Sequence, residues 1–394
     1  MKILYLTFYF KPDLCAGSFR NTPLVNELSE LINENDSIHV ITTMPNRYKS
    51  FSEEALAYEK KGNIEINRIK LPVHSSGLID QSLAFKDYFF KTLNIVKDKE
   101  YDLVFASSSR LFTAFLGSMI SRRKGIPFYA DIRDIFVDTL QDVLKNKYVK
   151  FPLLKVLKLI ERNTVKQATH INLISEGFKP YFSNNKHANF SFYTNGIDPE
   201  FLAWPKSNSL PKTEFLITYA GNIGEGQGLH KIIPAAAKLL GSKYTFRIIG
   251  DGGKKAELEE QLKKENISNV ELLPPTNRAR LIEYYKETDY LFLHLNDYKA
   301  FDKVLPSKIF EYGATDKPVI AGVGGFAAKF IEKNLSNYIL FPPGDARNLA
   351  DQLAQFTFQY QERKSFIEKY ARTTIDKQMA VSILNTANKN KNIA

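Results

Sequence analysis

Two glycine-rich turns in the second half of the chain have the composition of phosphate-binding loops. The apolar run that ends at Ala220 continues as Gly-Asn-Ile-Gly-Glu-Gly-Gln-Gly before a helical pattern begins. Glycines leave backbone N–H groups bare, and a helix that starts after such a loop directs its positive end at an anion. A second apolar run ends in Ile-Gly-Asp-Gly. The residues predicted to contact a phosphate are Gly221, Asn222, Gly224 and Gly250.

A cation and a carboxylate follow on one short predicted helix, 306–314. Pro306 and Ser307 can start this helix, and its N-terminus together with Lys308 can neutralise a phosphate. Glu311 supplies a carboxylate that can accept two hydrogen bonds from neighbouring hydroxyl groups. We therefore predict that Lys308 can neutralise a phosphate held at the glycine turns, and that the Glu311 carboxylate is suited to binding hydroxyl groups.

A third polar group lies in the first half of the chain. Asp131, Arg133 and Asp134 follow the apolar run Pro-Phe-Tyr-Ala, and ligands of α/β proteins bind at the carboxyl ends of strands. We predict a catalytic wall here, with Asp131 or Asp134 available as a base; a surface ion pair or a helix cap is the alternative. Gly17 follows the first strand and is predicted to contact an anion, with an ordinary turn glycine as the alternative.

Alternating strand-like and helix-like segments must position these residues. The strand-like KILYLTFYF is followed by helical spacing over 22–34, and EFLITYAG is followed by helical spacing over 228–240. Further helical patterns cover 254–265 and 276–286. Alternation with short connections is typical of parallel α/β layers, so the sequence predicts two Rossmann-like domains.

The junction between these domains is predicted near 196–213, where prolines, polar residues and the lone tryptophan cluster. Three regions follow from this junction and from a helical pattern over 365–389. They are an N-terminal Rossmann-like domain at 1–197, a C-terminal Rossmann-like domain at 198–364, and a crossing helix with a tail at 365–394. The tail is expected to be loose after Leu384.

Composition excludes several classes of protein. The 394 residues are 44% hydrophobic and 25% charged, as in ordinary globular domains. Cys15 is the only cysteine, which excludes an intrachain disulfide and fits a reducing cytoplasm. The apolar N-terminus is interpreted as a first strand, because it lacks a small-residue cleavage site. No apolar run reaches the roughly 18 residues of a membrane span.

Part of the net charge of +11 is concentrated in residues 145–166, where seven basic residues accompany only Glu161. Such a segment suits anionic lipid, nucleic acid or a phosphorylated substrate. We expect an interfacial helix over 151–166 that contacts an anionic membrane surface. The alternative is an amphipathic helix that buries its apolar side, Leu153, Val156, Leu157 and Ile160, in the core. No nucleic-acid partner is expected, because no recognised nucleic-acid motif is present.

Taken in order, six segments resemble the retaining glycosyltransferases of family 4, and in particular the fucosamine-type (aminosugar) transferases of bacterial surface-polysaccharide synthesis. The resemblance covers nearly the whole chain. Its segments are residues 9–20, 130–140, 193–202, 219–239, 246–262 and 304–322.

The resemblance implies an α/β GT-B fold, with two Rossmann-like domains facing a cleft and a C-terminal helix that crosses the join. It implies a nucleotide-sugar donor, UDP-linked and carrying an N-acetylated aminosugar, and a glycan or polyprenyl-diphosphate-linked acceptor, with retention of configuration. Gly17 would face the donor diphosphate, and Glu311 would bind the ribose. No metal or other cofactor is expected, and the chain would be cytoplasmic and peripheral on the inner face of the membrane.

Some positions depart from the family pattern. Asn222 and Gln227 stand where many relatives carry Arg and Lys, and Lys303 replaces an earlier Glu. These changes keep a nonenzymatic, membrane-docking degenerate transferase as one alternative. Another is a nucleotide-sugar 2-epimerase or a sugar-phosphate phosphorylase on the same fold, against which the Arg-Asp segment and the basic helix argue. His294 is expected to be a wall residue rather than a base.

Overall fold

The computed structural model describes residues 1–13, 15–45, 55–71, 78–108, 111–143, 147–207 and 212–389. The chain divides into two compact units. Unit 1 comprises Met1–Asn195 and Thr373–Ala394, and unit 2 comprises Gly196–Arg372. Unit 2 is thus one continuous stretch, whereas unit 1 is assembled from two.

Unit 1 is built on an eight-stranded sheet. Its strands are β1 (Lys2–Leu6), β2 (Ser37–Thr43), β3 (Tyr58–Lys61), β4 (Ile64–Ile69), β5 (Leu103–Ser108), β6 (Phe128–Ile132), β7 (His170–Leu173) and β8 (Asn189–Ser191). They pair in the order β3-β4-β2-β1-β5-β6-β7-β8. Among the pairings of the described strands, only that of β3 with β4 is antiparallel. β1, β5 and β6 are almost continuously buried because both faces of a parallel sheet are covered.

The helices of the first stretch are α1 (Ala16–Leu31), α2 (Leu78–Val96), α3 (Leu111–Lys124), α4 (Phe136–Val143) and α5 (Lys147–Lys166). α1 begins six residues before the pattern predicted at 22–34. Its first turns are polar but buried, with Arg20 1% exposed, so they show no apolar periodicity. The start of this helix is therefore invisible to a search for apolar spacing.

Unit 2 has a six-stranded, fully parallel sheet. Its strands are β9 (Phe215–Asn222), β10 (Tyr244–Asp251), β11 (Val270–Leu273), β12 (Tyr290–His294), β13 (Val319–Gly322) and β14 (Tyr338–Phe341). They pair in the order β11-β10-β9-β12-β13-β14. The strand order reverses between β9 and β12, and ligands of doubly wound sheets bind at the carboxyl ends of the strands beside such a reversal.

The helices of unit 2 are α6 (Leu229–Leu240), α7 (Lys255–Lys264), α8 (Arg278–Glu287), α9 (Lys308–Ala314), α10 (Gly325–Asn334), α11 (Ala346–Gln355) and α12 (Lys364–Tyr370). α6, α7, α8 and α9 begin within two residues of the helices predicted at 228–240, 254–265, 276–286 and 306–314. The prediction of two Rossmann-like α/β domains is confirmed.

The helical stretch predicted over 365–389 is present, but it consists of two helices rather than one. α12 ends at Tyr370, and α13 (Arg372–Lys389) begins after Ala371. Ala371 leaves the helical conformation to form a parallel bridge with Ile197. The chain therefore returns to unit 1 at the start of α13, after a break in the helical segment.

α13 packs its apolar face into the core of unit 1. Met379, Ala380, Ile383 and Ala387 are fully or almost fully buried in the cluster that contains Ile3 of β1. The helix continues to Lys389, so the expectation of a loose chain directly after Leu384 is wrong. The rest of that expectation, 390–394, lies outside the described residues.

Candidate functional site

Two of the predicted glycines allow the ends of β9 and β10 to touch. Gly221 and Gly250 are register partners and have φ angles of 147° and 149°. A Cβ atom at Gly250 would lie 1.9 Å from the carbonyl oxygen of Gly221, so no side chain fits there. Both glycines thus form part of one turn region at the carboxyl ends of adjacent strands.

The loop that follows β9 is closed by its own side chains. Asn222 Nδ2 donates a hydrogen bond to Gln227 Oε1 at 2.8 Å. A Cβ atom at Gly224 would lie 2.4 Å from Asn222 Nδ2, so the pair packs directly on the glycine. Asn222 and Gln227 thus form a hydrogen bond with each other across the loop. They stand at the positions where the sequence resemblance predicts Arg and Lys.

The same loop is tied to the carboxyl end of β12. Gly228 has a left-handed φ of 62° directly before α6. The Asn296 N–H donates to the Gly226 carbonyl at 2.8 Å, and the Asn296 side chain donates to the Glu225 carbonyl. The loop is therefore held above the reversal of strand order, where a ligand site is expected.

Lys308, at the start of α9, places a cation beside the glycine turn. A Cβ atom at Gly221 would lie 2.6 Å from Lys308 Nζ. The same nitrogen lies 5.6 Å from the centre of the Tyr219 ring. Burial lowers the pKa of Lys308, against the opposing effect of Glu311. The half-buried ammonium is thus incompletely solvated and would gain from an anion.

Glu311 is held by an arginine that the sequence analysis missed. Arg278 Nη1, on α8, donates to Glu311 Oε1 at 3.0 Å, and Arg278 Nη2 donates to Asp198 at 2.6 Å. The Arg278 guanidinium also lies 4.6 Å from the centre of the Phe201 ring. Burial lowers the pKa of Arg278, but the two carboxylates reverse this and raise it overall. Arg278 comes from another helix, 33 residues before Glu311, so no local pattern identifies the pair.

In unit 1, Gly17 lies within the first turn of α1 rather than in a loop, which corrects the predicted position. A Cβ atom at Gly17 would lie 3.0 Å from Tyr9 Cβ and 3.3 Å from Arg133 Nη1. Close packing against Tyr9 and Arg133 therefore favours glycine here. The structure thus brings Gly17 and Arg133 together, although they are far apart in sequence.

Arg133 offers two unused donors at this position. Its Nη2 atom donates to the Ala16 carbonyl at 3.1 Å. Its Nε and Nη1 atoms are buried and have no hydrogen-bond partner among the residues that the structure describes. Burial, and secondarily the charge of Arg20, lowers the pKa of Arg133. Unpaired buried N–H groups are costly, so an acceptor at this point would be bound favourably.

Asp131 has a different environment from the one predicted. It is 0% exposed and accepts hydrogen bonds from Arg20 Nε at 3.0 Å and Arg20 Nη2 at 2.9 Å. Ser107 and Asn172 donate to it as well, at 3.1 and 2.8 Å. Burial would raise the pKa of Asp131, but the adjacent Arg20 lowers it overall. Both oxygens are occupied, so the structure disagrees with a role as base and assigns Asp131 to the framework of the sheet.

Asp134 is exposed just before α4 and faces a small cavity that Glu161 also lines. Glu161, on α5, is 8% exposed and accepts a hydrogen bond from the Tyr181 hydroxyl at 2.5 Å. Burial raises the pKa of Glu161 to about 7. The sequence analysis counted Glu161 only as the acid within a basic segment, because nothing local reveals that it points inward.

The outward face of α5 combines apolar and basic side chains. Phe151, Val156 and Leu159 are 77%, 56% and 59% exposed, and Lys155 and Lys158 are exposed beside them. The alternative prediction, that the apolar side chains of Leu153, Val156, Leu157 and Ile160 are buried, is only partly correct. The buried residues are Leu154, Leu157, Glu161, Thr164 and Val165, whereas Leu153 and Val156 face outward.

A comparison with protein families gives a match to unit 2. The family described as glycosyl transferases group 1 matches residues 200–373, a range that includes both glycine turns, Lys308 and Glu311. Unit 2 is therefore similar to a group 1 glycosyltransferase domain over nearly its whole length. This match agrees with the prediction that the chain is an enzyme of the glycosyltransferase class.

Part of the chain is also similar to WcaI of Escherichia coli (strain K12), a protein named for glycosyl transfer in colanic acid biosynthesis. The two are 38% identical over 100 residues, which is 25% of this chain and 24% of that protein. The chain therefore matches about a quarter of the length of this relative. The coarse prediction of a surface-polysaccharide glycosyltransferase agrees with this similarity.

Solved structures resemble the chain over nearly its whole length. HepE from Anabaena, in complex with UDP-glucose, has a TM-score of 0.67 at 17% identity and covers 98% of this chain and 100% of its own. Sucrose-phosphate synthase from Thermosynechococcus elongatus has a TM-score of 0.65 at 12% identity, with coverages of 100% and 98%. The galactosyltransferase WaaB of the lipopolysaccharide outer core, in its apo form, has 0.62 at 13%, with 99% and 100%. At these identities the likeness shows the fold, and it confirms the GT-B class.

Within unit 2, His294 at the end of β12 uses both ring nitrogens. Its Nδ1 donates to the Gln227 carbonyl at 2.7 Å, and its Nε2 accepts from the Gly344 N–H at 2.9 Å. Burial lowers the pKa of His294 to about 4, so the ring is neutral near pH 7. As expected from the sequence, His294 is a wall residue that fixes the loop after β9.

Two further observations concern the ranges that the structure describes. Within them, no group of three or more His, Cys, Asp and Glu side chains is arranged to hold a metal ion. Within the same ranges, no helix combines the length and the apolar character needed to cross a bilayer.

Proposed function

We propose that this chain transfers an N-acetylated aminosugar from a UDP-linked donor to a glycan or polyprenyl-diphosphate-linked acceptor, with retention of configuration, in bacterial surface-polysaccharide synthesis. The observation that carries the proposal is the position of Lys308 at the Gly221 turn of a group 1 glycosyltransferase domain, one helical turn from Glu311. A related fold has UDP-glucose bound in HepE, which supports UDP as the carrier.

In this proposal unit 2 is the donor domain, and its parts bind different portions of the nucleotide. The ammonium of Lys308 and the backbone amides near Gly221, Asn222, Gly224 and Gly250 hold the diphosphate. Residues three apart on a helix share a face, so Glu311 lies beside Lys308 and its carboxylate accepts hydrogen bonds from the ribose. Because Asn222 and Gln227 bond each other, Lys308 carries the positive charge at the turn.

The reaction breaks the bond between the anomeric carbon of the sugar and the diphosphate oxygen. A new bond forms from that carbon to the acceptor oxygen, and the acceptor proton passes to the departing phosphate. Lys308 and the amides stabilise the charge that develops on the leaving diphosphate. Unit 1 is proposed as the acceptor domain, where the two unpaired donors of Arg133 bind an acceptor oxygen and Asp134 orients a hydroxyl.

Calorimetry with UDP, GDP and ADP tests the donor site. We expect UDP to bind selectively, and Glu311→Ala and Lys308→Met each to weaken it tenfold or more, since a hydrogen bond to a charged group contributes about 1.5–3 kcal/mol. Glu260→Ala, which removes an exposed carboxylate from α7, is the matched control and should bind UDP normally. Absence of nucleotide binding, or unchanged binding in both site variants, would reject the donor site and favour the nonenzymatic alternative.

We also propose that the chain is cytoplasmic and peripheral on the membrane, through the outward face of α5. Phe151 and Leu159 can enter the headgroup region while Lys155, Lys158 and Arg162 meet anionic lipid. Sedimentation with vesicles of 30% anionic and 70% zwitterionic lipid should capture the protein, and Lys155→Glu with Lys158→Glu should abolish capture. Equal sedimentation with purely zwitterionic vesicles would contradict this proposal.

A further inference from the structure

We propose that unit 1 carries a second binding site, for a neutral oligosaccharide, in the groove between α13 and the edge strand β8. The groove has a volume of about 500 Å³, within the range of roughly 300–1,000 Å³ that is typical of small-ligand sites. It deepens the proposed function, on which it rests, because it would hold uncharged sugar units of a glycan acceptor or product.

The chemistry of the lining fits a polyhydroxylated ligand. Four carboxamides line the groove, those of Asn189, Gln378, Asn385 and Asn388. Each carboxamide offers both donors and an acceptor, which matches hydroxyl groups that also donate and accept. Tyr193 adds an amphipathic aromatic ring to the same lining, and such a ring suits the C–H faces of a sugar.

The described lining residues carry no acidic or strongly basic side chain, which favours a neutral ligand. None of the described lining residues is an aspartate, a glutamate, a lysine or an arginine, although the whole chain has a net charge of +11. A site for a phosphate, a nucleotide or an anionic headgroup would gain from a cation, as the Lys308 turn does. The groove offers neutral hydrogen bonds instead.

α13 forms one wall of the groove with a row of side chains on one face of the helix. Gln378, Ser382, Asn385 and Asn388 are four, three and three residues apart along α13, and they line the groove together with Val381. The neighbouring stripe of α13 is locked into the core of unit 1, as described above. The polar stripe is therefore presented by a fixed helix, which reduces the entropy lost when a ligand binds.

The floor of the groove is a connected polar network. His170 Nε2 lies 2.9 Å from Ser191 Oγ and 3.5 Å from Ser382 Oγ, and its ring stacks on Tyr129 with a centroid distance of 4.4 Å. Ser191 Oγ donates at 3.0 Å to Asn172, the residue that also donates to Asp131. The groove is thus connected through β7 to β6, the strand that directly precedes Arg133.

Saturation-transfer NMR with defined probes tests the site. We expect the protein to bind at least one of three neutral tetrasaccharides, maltotetraose, cellotetraose and galactotetraose, and to show no saturation transfer to tetragalacturonic acid. Asn385→Trp fills the groove from an exposed position and should reduce the signal at least tenfold. Asn189→Ala, on the opposite wall, should reduce it more mildly. Lys377→Trp, at an exposed α13 position outside the groove, is the matched control.

Calorimetry with UDP on the same preparations separates the two proposals. The groove variants should bind UDP as the unaltered protein does. If UDP binds but no neutral tetrasaccharide does, or if Asn385→Trp and Asn189→Ala bind the sugars normally, the groove proposal is overturned. Equal binding of tetragalacturonic acid also overturns it. If the sugars bind and UDP does not, the proposed donor site fails instead.

Discussion

Each unit contains an arginine paired with a carboxylate, but the two pairs are solvated very differently. The side chains of Arg20 and Asp131 in unit 1 are 1% and 0% exposed. Two more hydrogen bonds, from Ser107 and Asn172, reach the Asp131 carboxylate. Those of Arg278 and Glu311 in unit 2 are 28% and 19% exposed. The pair in unit 1 can exchange partners only if the sheet opens, whereas the pair in unit 2 is open to water and to a ligand.

This difference separates a structural ion pair from one suited to binding. A buried pair has lost its hydration, so either partner left alone is a buried uncompensated charge. A partly exposed pair keeps water as a substitute partner, and its contribution to stability is small. The same chemical contact therefore fixes the β6 region in unit 1 and leaves Glu311 able to meet hydroxyl groups in unit 2.

The largest expected effect comes from breaking the buried pair. Asp131→Ala should lower the free energy of unfolding by about 3–5 kcal/mol, because Arg20 keeps its charge without its carboxylate. Urea denaturation followed by far-UV circular dichroism measures the loss. The double variant Arg20→Met with Asp131→Leu should recover much of it. A loss below about 1 kcal/mol for Asp131→Ala would remove the distinction drawn between the two pairs.

Glu161 sharpens the comparison, because its hydrogen-bonding partner is the Tyr181 hydroxyl rather than an arginine. Its folded-state pKa of about 7 exceeds the ordinary 4.5, so the folded protein binds the extra proton and stability falls as the pH rises between these values. Glu161→Gln should flatten this slope and add about 1–3 kcal/mol at pH 8, since one pKa unit corresponds to roughly 1.4 kcal/mol.

Urea denaturation at pH 5 and pH 8 provides the measurement for Glu161→Gln. Glu259→Gln on α7, which changes a more accessible carboxylate in unit 2, is the control and should leave the slope unchanged. An unaltered slope in Glu161→Gln would mean that the carboxylate is ionised in the folded state, like that of Asp131.

The smallest effect is expected from the open pair. Arg278→Ala should lower the free energy of unfolding by only about 0.2–1 kcal/mol, because water replaces the guanidinium at Glu311. The lone Trp204 belongs to unit 2, where its indole N–H donates to Asp316 at 3.1 Å, so its fluorescence reports on this unit. A loss as large as that of Asp131→Ala would show that exposure does not distinguish the pairs.

The glycine turns could be predicted from the sequence because their determinants are local. Gly221 and Gly250 end apolar strands, and the approach of their backbones excludes any Cβ atom. The alternation of strands and helices likewise reflects periodicities of only a few residues. Glu311, by contrast, was singled out by a resemblance to known transferases, and its role beside Lys308 stays a prediction.

Contacts between distant segments could not be predicted in this way. Arg20 and Asp131 are 111 residues apart, and an arginine in a helix gives no sign of being buried. Helical periodicity found the basic stripe of α5, but it could not show that Leu154 and Glu161 point inward while Phe151 points outward. Which stripe of a helix meets the core depends on neighbours that come from elsewhere in the chain.

The two ends of unit 2 are hydrogen-bonded to each other. Ile197 N–H donates to the Tyr370 carbonyl at 2.7 Å, and Arg372 N–H donates to the Ile197 carbonyl at 3.0 Å. The beginning and the end of the stretch Gly196–Arg372 are thus held together by one pair of backbone hydrogen bonds. A segment whose two ends are fastened together can be excised, transplanted or circularly permuted without stretching its strands. Recombination at this pair of hydrogen bonds would therefore exchange unit 2 as a whole while leaving the strands of unit 1 intact.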